Sequence, residues 1–158
     1  MIRFANTRLI VDPSMGKLVR WLRILGFDTH YDQDLNMHHV VSRAKKDFRI
    51  LLTCSENTLN LAKKERISAF LVPNTEPSDQ LKVMARQGFD LSLPDFNQTR
   101  CPNCNGGLSL ATIEEEDRLV PEGSRDMFDE YFICRSCDQM YWKGSHWENI
   151  MKIIEEIS

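Results

Sequence analysis

Four of the five cysteines form two CxxC pairs, Cys101 with Cys104 and Cys134 with Cys137. Each pair presents two thiolates from one tight turn, and two facing pairs supply the four ligands of a tetrahedral zinc site. The pairs are separated by 29 residues, more than the commonest spacing of about 15–20, which suits a hairpin with an insertion. Four thiolates leave no open coordination position, so we predict a structural zinc site. Disulfides are disfavoured in a chain without a secretion signal, and an iron–sulfur centre uses the same ligands.

Asp12 is a second candidate for chemistry, because it directly follows the apolar run Leu9–Val11. This run predicts a buried strand, and Pro13 suits the first turn of a helix that ends at Gly26. The apolar face of this helix comprises Met15, Leu18, Trp21, Leu22 and Leu25, and its basic edge comprises Lys17, Arg20 and Arg23. Ligands of open α/β sheets bind at the carboxyl ends of strands, which is where Asp12 would lie. Alternatively, Asp12 is only a helix cap and the basic edge only a solvated face.

Three more strand–helix units follow this one. Strands are predicted at residues 27–31, 49–53 and 69–72, and the helices after them are expected to be capped by Asn36, Ser55 and Ser78. Alternating strands and helices predict a parallel sheet with helices on both faces. All strands then end at one edge, which would collect Asp12, Asp32, Asp34, Thr53–Ser55 and Asn74. The chain contains neither GxGxxG nor GxxxxGK[ST], so dinucleotide or nucleoside-triphosphate binding is not indicated.

The remainder of the chain predicts a small second domain. We place the α/β domain at residues 1–95 and the zinc ribbon at 96–158, with a linker at 90–99. Inside the ribbon we expect an acidic loop at Glu114–Asp117 and a strand at 130–133. A capping box of Ser145 and Glu148 would begin a closing helix, whose apolar face would contain Trp147, Ile150, Met151 and Ile154. Tyr141 and Trp142 are expected to pack in the small core rather than to stack on bases.

The composition indicates an ordinary globular protein, with 158 residues, 42% hydrophobic and 27% charged. Residues 1–95 carry 14 Lys and Arg against 11 Asp and Glu, and residues 96–158 carry 6 against 12. The first part is therefore mildly basic (+3) and the second acidic (−6), which permits a polyanionic partner without requiring one. No apolar run reaches the roughly 20 residues of a membrane span, and no signal peptide is recognisable. We expect a cytoplasmic protein without membrane contact.

Several segments resemble the Mut-seven C-terminal domain family: VDPSMGKLVRWLRILGFDTHYDQDL, RILLT, CPNCNG, CRSC and YWKGSHW. The resemblance implies a PIN-like parallel-sheet domain followed by a zinc ribbon, and metal-dependent cleavage of RNA. It implies that Asp12 is the first acid and Asp34, with Asp32 beside it, the second, and that they hold Mg²⁺ or Mn²⁺. It also implies contacts from Lys17, Arg20 and Arg23 to the RNA backbone.

The chain departs from the family pattern after the third strand, where relatives have Thr-Arg-Asp and this chain has Thr53-Cys54-Ser55. At the catalytic position this chain therefore has the hydroxyl of Ser55 in place of the expected acid. Glu56 is adjacent, but successive residues of a helix point about 100° apart. Two hypotheses follow: a ribonuclease, or a PIN-like RNA- or protein-binding module that has lost cleavage. Either is compatible with a protein partner or a homo-oligomer. A third alternative is that the ribbon is only a structural or protein-interaction appendage.

Overall fold

The computed structural model describes residues 1–157, and two sheets are present in this part of the chain. The larger sheet has the spatial order β2-β1-β3-β4, and all its strand pairs are parallel. Its strands are β1 (Arg8–Val11), β2 (Asp28–His30), β3 (Ile50–Thr53) and β4 (Ala69–Leu71). β1 and β3 are therefore the central strands, and the ends of both lie at the middle of the carboxyl edge.

Helices cover both faces of this sheet, which confirms the predicted α/β architecture. Because successive strand residues point to opposite faces, Leu9 and Val11 pack on one side and Ile10 on the other. The first side carries α1 (Gly16–Ile24), α4 (Pro77–Arg86) and α6 (Ser145–Ile157), and the second side carries α2 (Met37–Lys46) and α3 (Glu56–Lys64).

Two of the three predicted caps of α2, α3 and α4 are confirmed. The side chains of Asn36 and Ser55 each accept a hydrogen bond from the backbone N–H three residues later, at 2.9 and 3.2 Å. The prediction for Ser78 is wrong, because α4 begins at Pro77 and its N-cap residue is Glu76, two positions before Ser78. Proline lacks an N–H and suits the first helical turn, where that N–H would have no intrahelical acceptor.

The second sheet is antiparallel and consists of β5 (Leu108–Leu110), β6 (Phe132–Cys134) and β7 (Met140–Tyr141). The predicted acidic loop is wrong, since residues Ile113–Leu119 form a helix, α5. Thr112 and Glu115 make a capping box at its start: Thr112 Oγ1 accepts from Glu115 N at 3.2 Å, and Glu115 Oε2 accepts from Thr112 N at 2.8 Å. This T-x-x-E signature is visible in the sequence.

The capping box predicted for the closing helix is also wrong. α6 already includes Ser145, and the Glu148 N–H donates to Gly144 O at 3.2 Å. The cap position therefore falls on Gly144, one residue before the predicted one.

α6 packs against the core of the α/β domain although it follows the ribbon in sequence. Ile150 and Ile154 are buried in the same cluster as Leu18 and Leu81, whereas Met151 is exposed, contrary to its predicted place on the apolar face. The boundary at residues 95/96 stays a prediction. No helix within residues 1–157 has the length and apolar character needed to cross a bilayer.

Candidate acidic site and candidate metal centre

Asp12 lies in the turn between β1 and α1, where it organises the local backbone. Its Oδ1 accepts hydrogen bonds from Ser14 N at 3.1 Å and from Ser14 Oγ at 2.9 Å. It thereby caps the 3-10 helix Pro13–Met15 that precedes α1. Asp12 is thus a helix cap through one of its two carboxylate oxygens, as the alternative interpretation of the sequence expected.

The other oxygen of Asp12 connects the two central strands. Asp12 Oδ2 accepts a hydrogen bond of 2.7 Å from Thr53 Oγ1, at the end of β3. Thr53 is completely buried, and its Oγ1 also accepts from Ser55 N at 3.1 Å. The carboxylate is therefore fixed by two neighbouring strand ends.

Tyr31 and Gly16 fix the same turn from the other side. Tyr31 Oη donates to Pro13 O at 2.7 Å. A Cβ at Gly16 would lie only 2.7 Å from Tyr31 Oη, so a larger residue there would displace the tyrosine. The glycine of the MGK segment is thus required by a close contact rather than by a positive φ.

Asp12 borders a cavity of about 290 Å³ that opens between α2 and α3. The other lining residues are Pro13, Ser14, Leu35, Met37, Val40 and Thr58. A carboxylate at a cavity on the carboxyl edge of a parallel sheet matches the location where α/β proteins bind ligands.

The other residues predicted for this site are less tightly assembled. Asp32 and Asp34 lie in the loop after β2, where Asp32 Oδ1 accepts from Asp34 N at 3.0 Å. Within residues 1–157, the only group of three or more Cys, His, Asp or Glu ligand atoms that converge on one point is the four-cysteine group. Asp12, Asp32 and Asp34 therefore do not form a three-carboxylate cage, and the Ser55 hydroxyl is occupied as the cap of α3.

The basic edge predicted for α1 does not exist as one surface. Lys17 and Arg20 are exposed, but Arg23 is buried, with 8% of its surface accessible. The Arg23 guanidinium donates to Thr29 O at 3.0 and 3.1 Å and to Pro102 O at 3.0 Å. The structure thus places Arg23 inside the protein, with its donors directed at backbone carbonyls, and not beside Lys17 and Arg20 on the surface.

The four cysteines converge as the sequence predicted. Their Sγ atoms all lie within 4.8 Å of one another, with Cys101 to Cys137 at 3.7 Å and Cys104 to Cys134 at 3.4 Å. Zinc–sulfur bonds of about 2.3 Å in a tetrahedron separate sulfurs by about 3.8 Å. The donor set thus fits a metal ion such as zinc, and all four thiols are free of disulfides.

The two CxxC turns share one backbone design. In the first, Asn105 N donates to Cys101 O at 2.8 Å, and in the second, Asp138 N donates to Cys134 O at 2.8 Å. Asn105 and Asp138 both adopt left-handed φ values, 71° and 62°, which asparagine and aspartate tolerate better than most residues. A Cβ at Gly106 would lie 2.8 Å from Cys134 Sγ, so a small residue is needed beside the sulfurs.

The surroundings of Cys101 favour its thiolate. Burial opposes ionisation, but hydrogen bonds from the Tyr141 hydroxyl and from the backbone of Cys104 and Asn103 outweigh it and lower the pKa of Cys101 to about 7. The Tyr141 Oη lies 2.9 Å from Cys101 Sγ. Burial instead raises the pKa of Cys104 and Cys137, so Cys101 rather than either of these thiols is the favoured thiolate when no metal is bound. A deprotonated thiol is the form that binds a metal.

The first CxxC turn also docks on the edge of the parallel sheet, a role that the sequence analysis missed. Asn105 Oδ1 accepts from Thr29 N at 3.0 Å, and Asn105 Nδ2 donates to Asp28 Oδ1 at 2.8 Å. Asp28 is also paired with Arg49, at 2.9 Å. The Asn105 side chain therefore hydrogen-bonds to the outer edge of β2, where a further strand would otherwise pair. An asparagine after a CxxC pair indicates the turn in the sequence, but nothing in the sequence indicates its partner on β2.

The fold and these two sites define the class of protein: a parallel α/β domain with an acidic residue at its central strand ends, joined to a four-cysteine cluster able to hold a metal ion. The model of the Mut7-C RNAse domain family matches residues 7–154, nearly the whole chain, and the protein belongs to this family. This confirms the resemblance found in the sequence. No similar curated protein and no similar solved structure was found.

Proposed function

We propose that this protein is a metal-dependent ribonuclease of PIN-like type that hydrolyses RNA phosphodiesters at the carboxyl edge of its parallel sheet. One observation carries the proposal: in a member of an RNase family, the Asp12 carboxylate is fixed between the two central strands and borders a cavity.

The oxygen donors at this edge suit Mg²⁺ or Mn²⁺. Mg²⁺ commonly takes one or two carboxylates and completes its coordination with water and substrate phosphate. Asp12 would hold the ion, with Asp34 and Asp32 as the second acidic group. A bound ion of this kind activates water and neutralises charge on the phosphate.

The protein's own residues orient the acid and bind the substrate. Thr53 and Ser14 hold the two oxygens of Asp12, so that the carboxylate needs no rearrangement when RNA arrives. Lys17 and Arg20, exposed on α1, bind backbone phosphates without reading sequence. In the ribbon, a zinc ion held by four thiolates serves structure, because no coordination position remains for a substrate.

A specific observation favours a second candidate, an RNA- or protein-binding module without cleavage. The resemblance implies an acid at the position of Ser55, and the Ser55 hydroxyl accepts the Thr58 N–H as the cap of α3. A neutral, occupied hydroxyl is a poor ligand for Mg²⁺. In this case the same edge would bind RNA through Lys17 and Arg20 and leave it intact.

Mn²⁺ binding and RNA cleavage by zinc-loaded protein separate the two candidates. For a ribonuclease we expect calorimetric Mn²⁺ binding and cleavage of a fluorescent single-stranded RNA, both abolished by Asp12→Asn with the fold intact. Asp79→Asn, which alters an exposed carboxylate on α4, serves as the control and should change neither. RNA binding without Mn²⁺ binding at millimolar concentration would favour the binding module, and cleavage by Asp12→Asn would place the activity elsewhere.

A further inference from the structure

A second cavity, of about 290 Å³, lies between α1, the zinc ribbon and α6. We name it the aromatic cavity, because Trp21, Phe96, Tyr141, Trp142 and Trp147 line it. Its volume lies near the lower limit of about 300 Å³ for pockets that hold small ligands. It can therefore accept one small planar group.

The charges around the aromatic cavity suit an anionic ligand. Arg20 lines it and is exposed, and His146 lies beside it. No carboxylate is among the described lining residues, although residues 96–158 carry twice as many acidic as basic side chains.

α1 connects the aromatic cavity with the acidic site. Lys17 and Arg20 are three residues apart, so they share a helix face. Trp21 and Ile24, later on the same helix, line the cavity. At 1.5 Å per residue, Ile24 lies about 12 Å along the helix from Gly16, the first residue of α1, a distance that a few nucleotides can span.

We propose that the aromatic cavity binds one unpaired base of a single-stranded RNA, stacked on its aromatic side chains, with Arg20 beside the adjoining phosphate. Unstacked bases are recognised in this way by stacking on aromatic side chains and by contacts to their polar edges. The proposal rests on the proposed function for its choice of RNA, and it makes the substrate single-stranded at this position.

Intrinsic fluorescence tests the proposal directly, because all three tryptophans of the chain line the aromatic cavity. Zinc-loaded, full-length protein is titrated with adenosine monophosphate and, in parallel, with ribose 5-phosphate, which lacks the base. We expect saturable quenching by the nucleotide and none by the sugar phosphate. Equal responses to both, or no response, would overturn the proposal.

A charge variant tests the phosphate contact beside the bound base. Arg20→Ala should reduce the salt dependence of oligoadenylate binding by about one phosphate contact, and Arg86→Ala, on the exposed face of α4, should not. An unchanged salt dependence in Arg20→Ala would overturn the contact between Arg20 and the phosphate.

The results of these experiments distinguish a failure of the base site from a failure of the proposed ribonuclease activity. Quenching by the nucleotide together with cleavage that survives in Asp12→Asn would uphold the base site and reject the acidic site. Cleavage that is lost in Asp12→Asn, with no tryptophan quenching by the nucleotide, would uphold the acidic site and reject the base site. A response only to an apolar dye such as anilinonaphthalene sulfonate would indicate a site for an apolar side chain of a partner protein and would overturn the base site.

Discussion

The Thr53 hydroxyl donates a 2.7 Å hydrogen bond to Asp12 Oδ2, where Thr53 ends β3 and Asp12 directly follows β1, the neighbouring central strand. Forty-one positions separate them in the sequence, yet this hydrogen bond holds the two side chains against each other. The acid at the proposed active site is thus positioned by the register between β1 and β3, in which Val11 pairs with Leu52.

Thr53→Val should therefore impair both stability and metal binding. Valine keeps the shape but removes the donor to Asp12 and the acceptor for Ser55 N–H, at a cost of about 1–3 kcal/mol in the free energy of unfolding. We expect weaker Mn²⁺ binding in calorimetry and a lower urea midpoint. Thr75→Val, at an exposed position, should change neither. Wild-type Mn²⁺ affinity in Thr53→Val would show that Asp12 needs no such support.

Ser55→Asp should raise RNA cleavage if the missing acid limits the reaction. Aspartate caps helices as well as serine does, so α3 should form and the stability should stay within about 0.5 kcal/mol. The initial rate on a fluorescent single-stranded RNA is the measurement. Ser78→Asp, in the first turn of α4, adds the same charge near another helix start and should have no effect. An unchanged rate in Ser55→Asp would mean that this position is not the lost ligand.

Arg23→Lys should destabilise the protein, whereas Arg20→Lys should not. Lysine keeps the charge but cannot span Thr29 O and Pro102 O together as the planar guanidinium does. In Arg23→Lys, the loss of charged hydrogen bonds at a buried site should reduce the free energy of unfolding by about 3 kcal/mol. In Arg20→Lys, at an exposed site, the free energy of unfolding should change by less than about 0.5 kcal/mol. Chemical denaturation of both variants measures the difference. Equal stability would contradict the structural role of Arg23.

Because of Asp28, the stability of the protein should depend on pH under acidic conditions. Burial raises its pKa, but hydrogen bonds from Asn105 and Arg49 outweigh burial and lower the pKa below 3.8. A carboxyl group whose pKa is lower in the folded than in the unfolded state stabilises the fold at pH values above its pKa in the unfolded state. This contribution is lost as the pH falls through the pKa of the folded state. The stability difference between wild type and Asp28→Asn should thus be largest near neutral pH and should shrink below about pH 4. A constant difference across this range would argue against the ion pair.

Metal removal should unfold the ribbon before the parallel sheet. The ribbon has a small core of its own, so binding of the metal contributes much of its folding free energy. After chelation we expect loss of hydrogen-exchange protection in residues 101–141, with protection retained in β1 and β3. Readdition of zinc should restore the ribbon. Protection that persists in metal-free protein would contradict a structural metal site.

The sequence alone determined the order of strands and helices, because local patterns encode them. The alternation of apolar runs with amphipathic segments predicted the four strand–helix units, and the paired CxxC motifs predicted the four-sulfur cluster. These features depend on residues close together in the chain, where helix spacing and turn chemistry act directly. Even the missed helix α5 has a local signal, the capping box of Thr112 and Glu115.

Only the tertiary structure decided which polar residues face one another. Arg23 and Arg20 look alike in sequence, since both lie off the apolar face of α1, yet the docked CxxC turn buries the first and leaves the second exposed. Likewise Asn105 belongs to a turn by its sequence but completes the edge of β2 by its contacts. Helical periodicity describes one element at a time, whereas burial depends on what packs against it, and the packing partner here lies about 80 residues away.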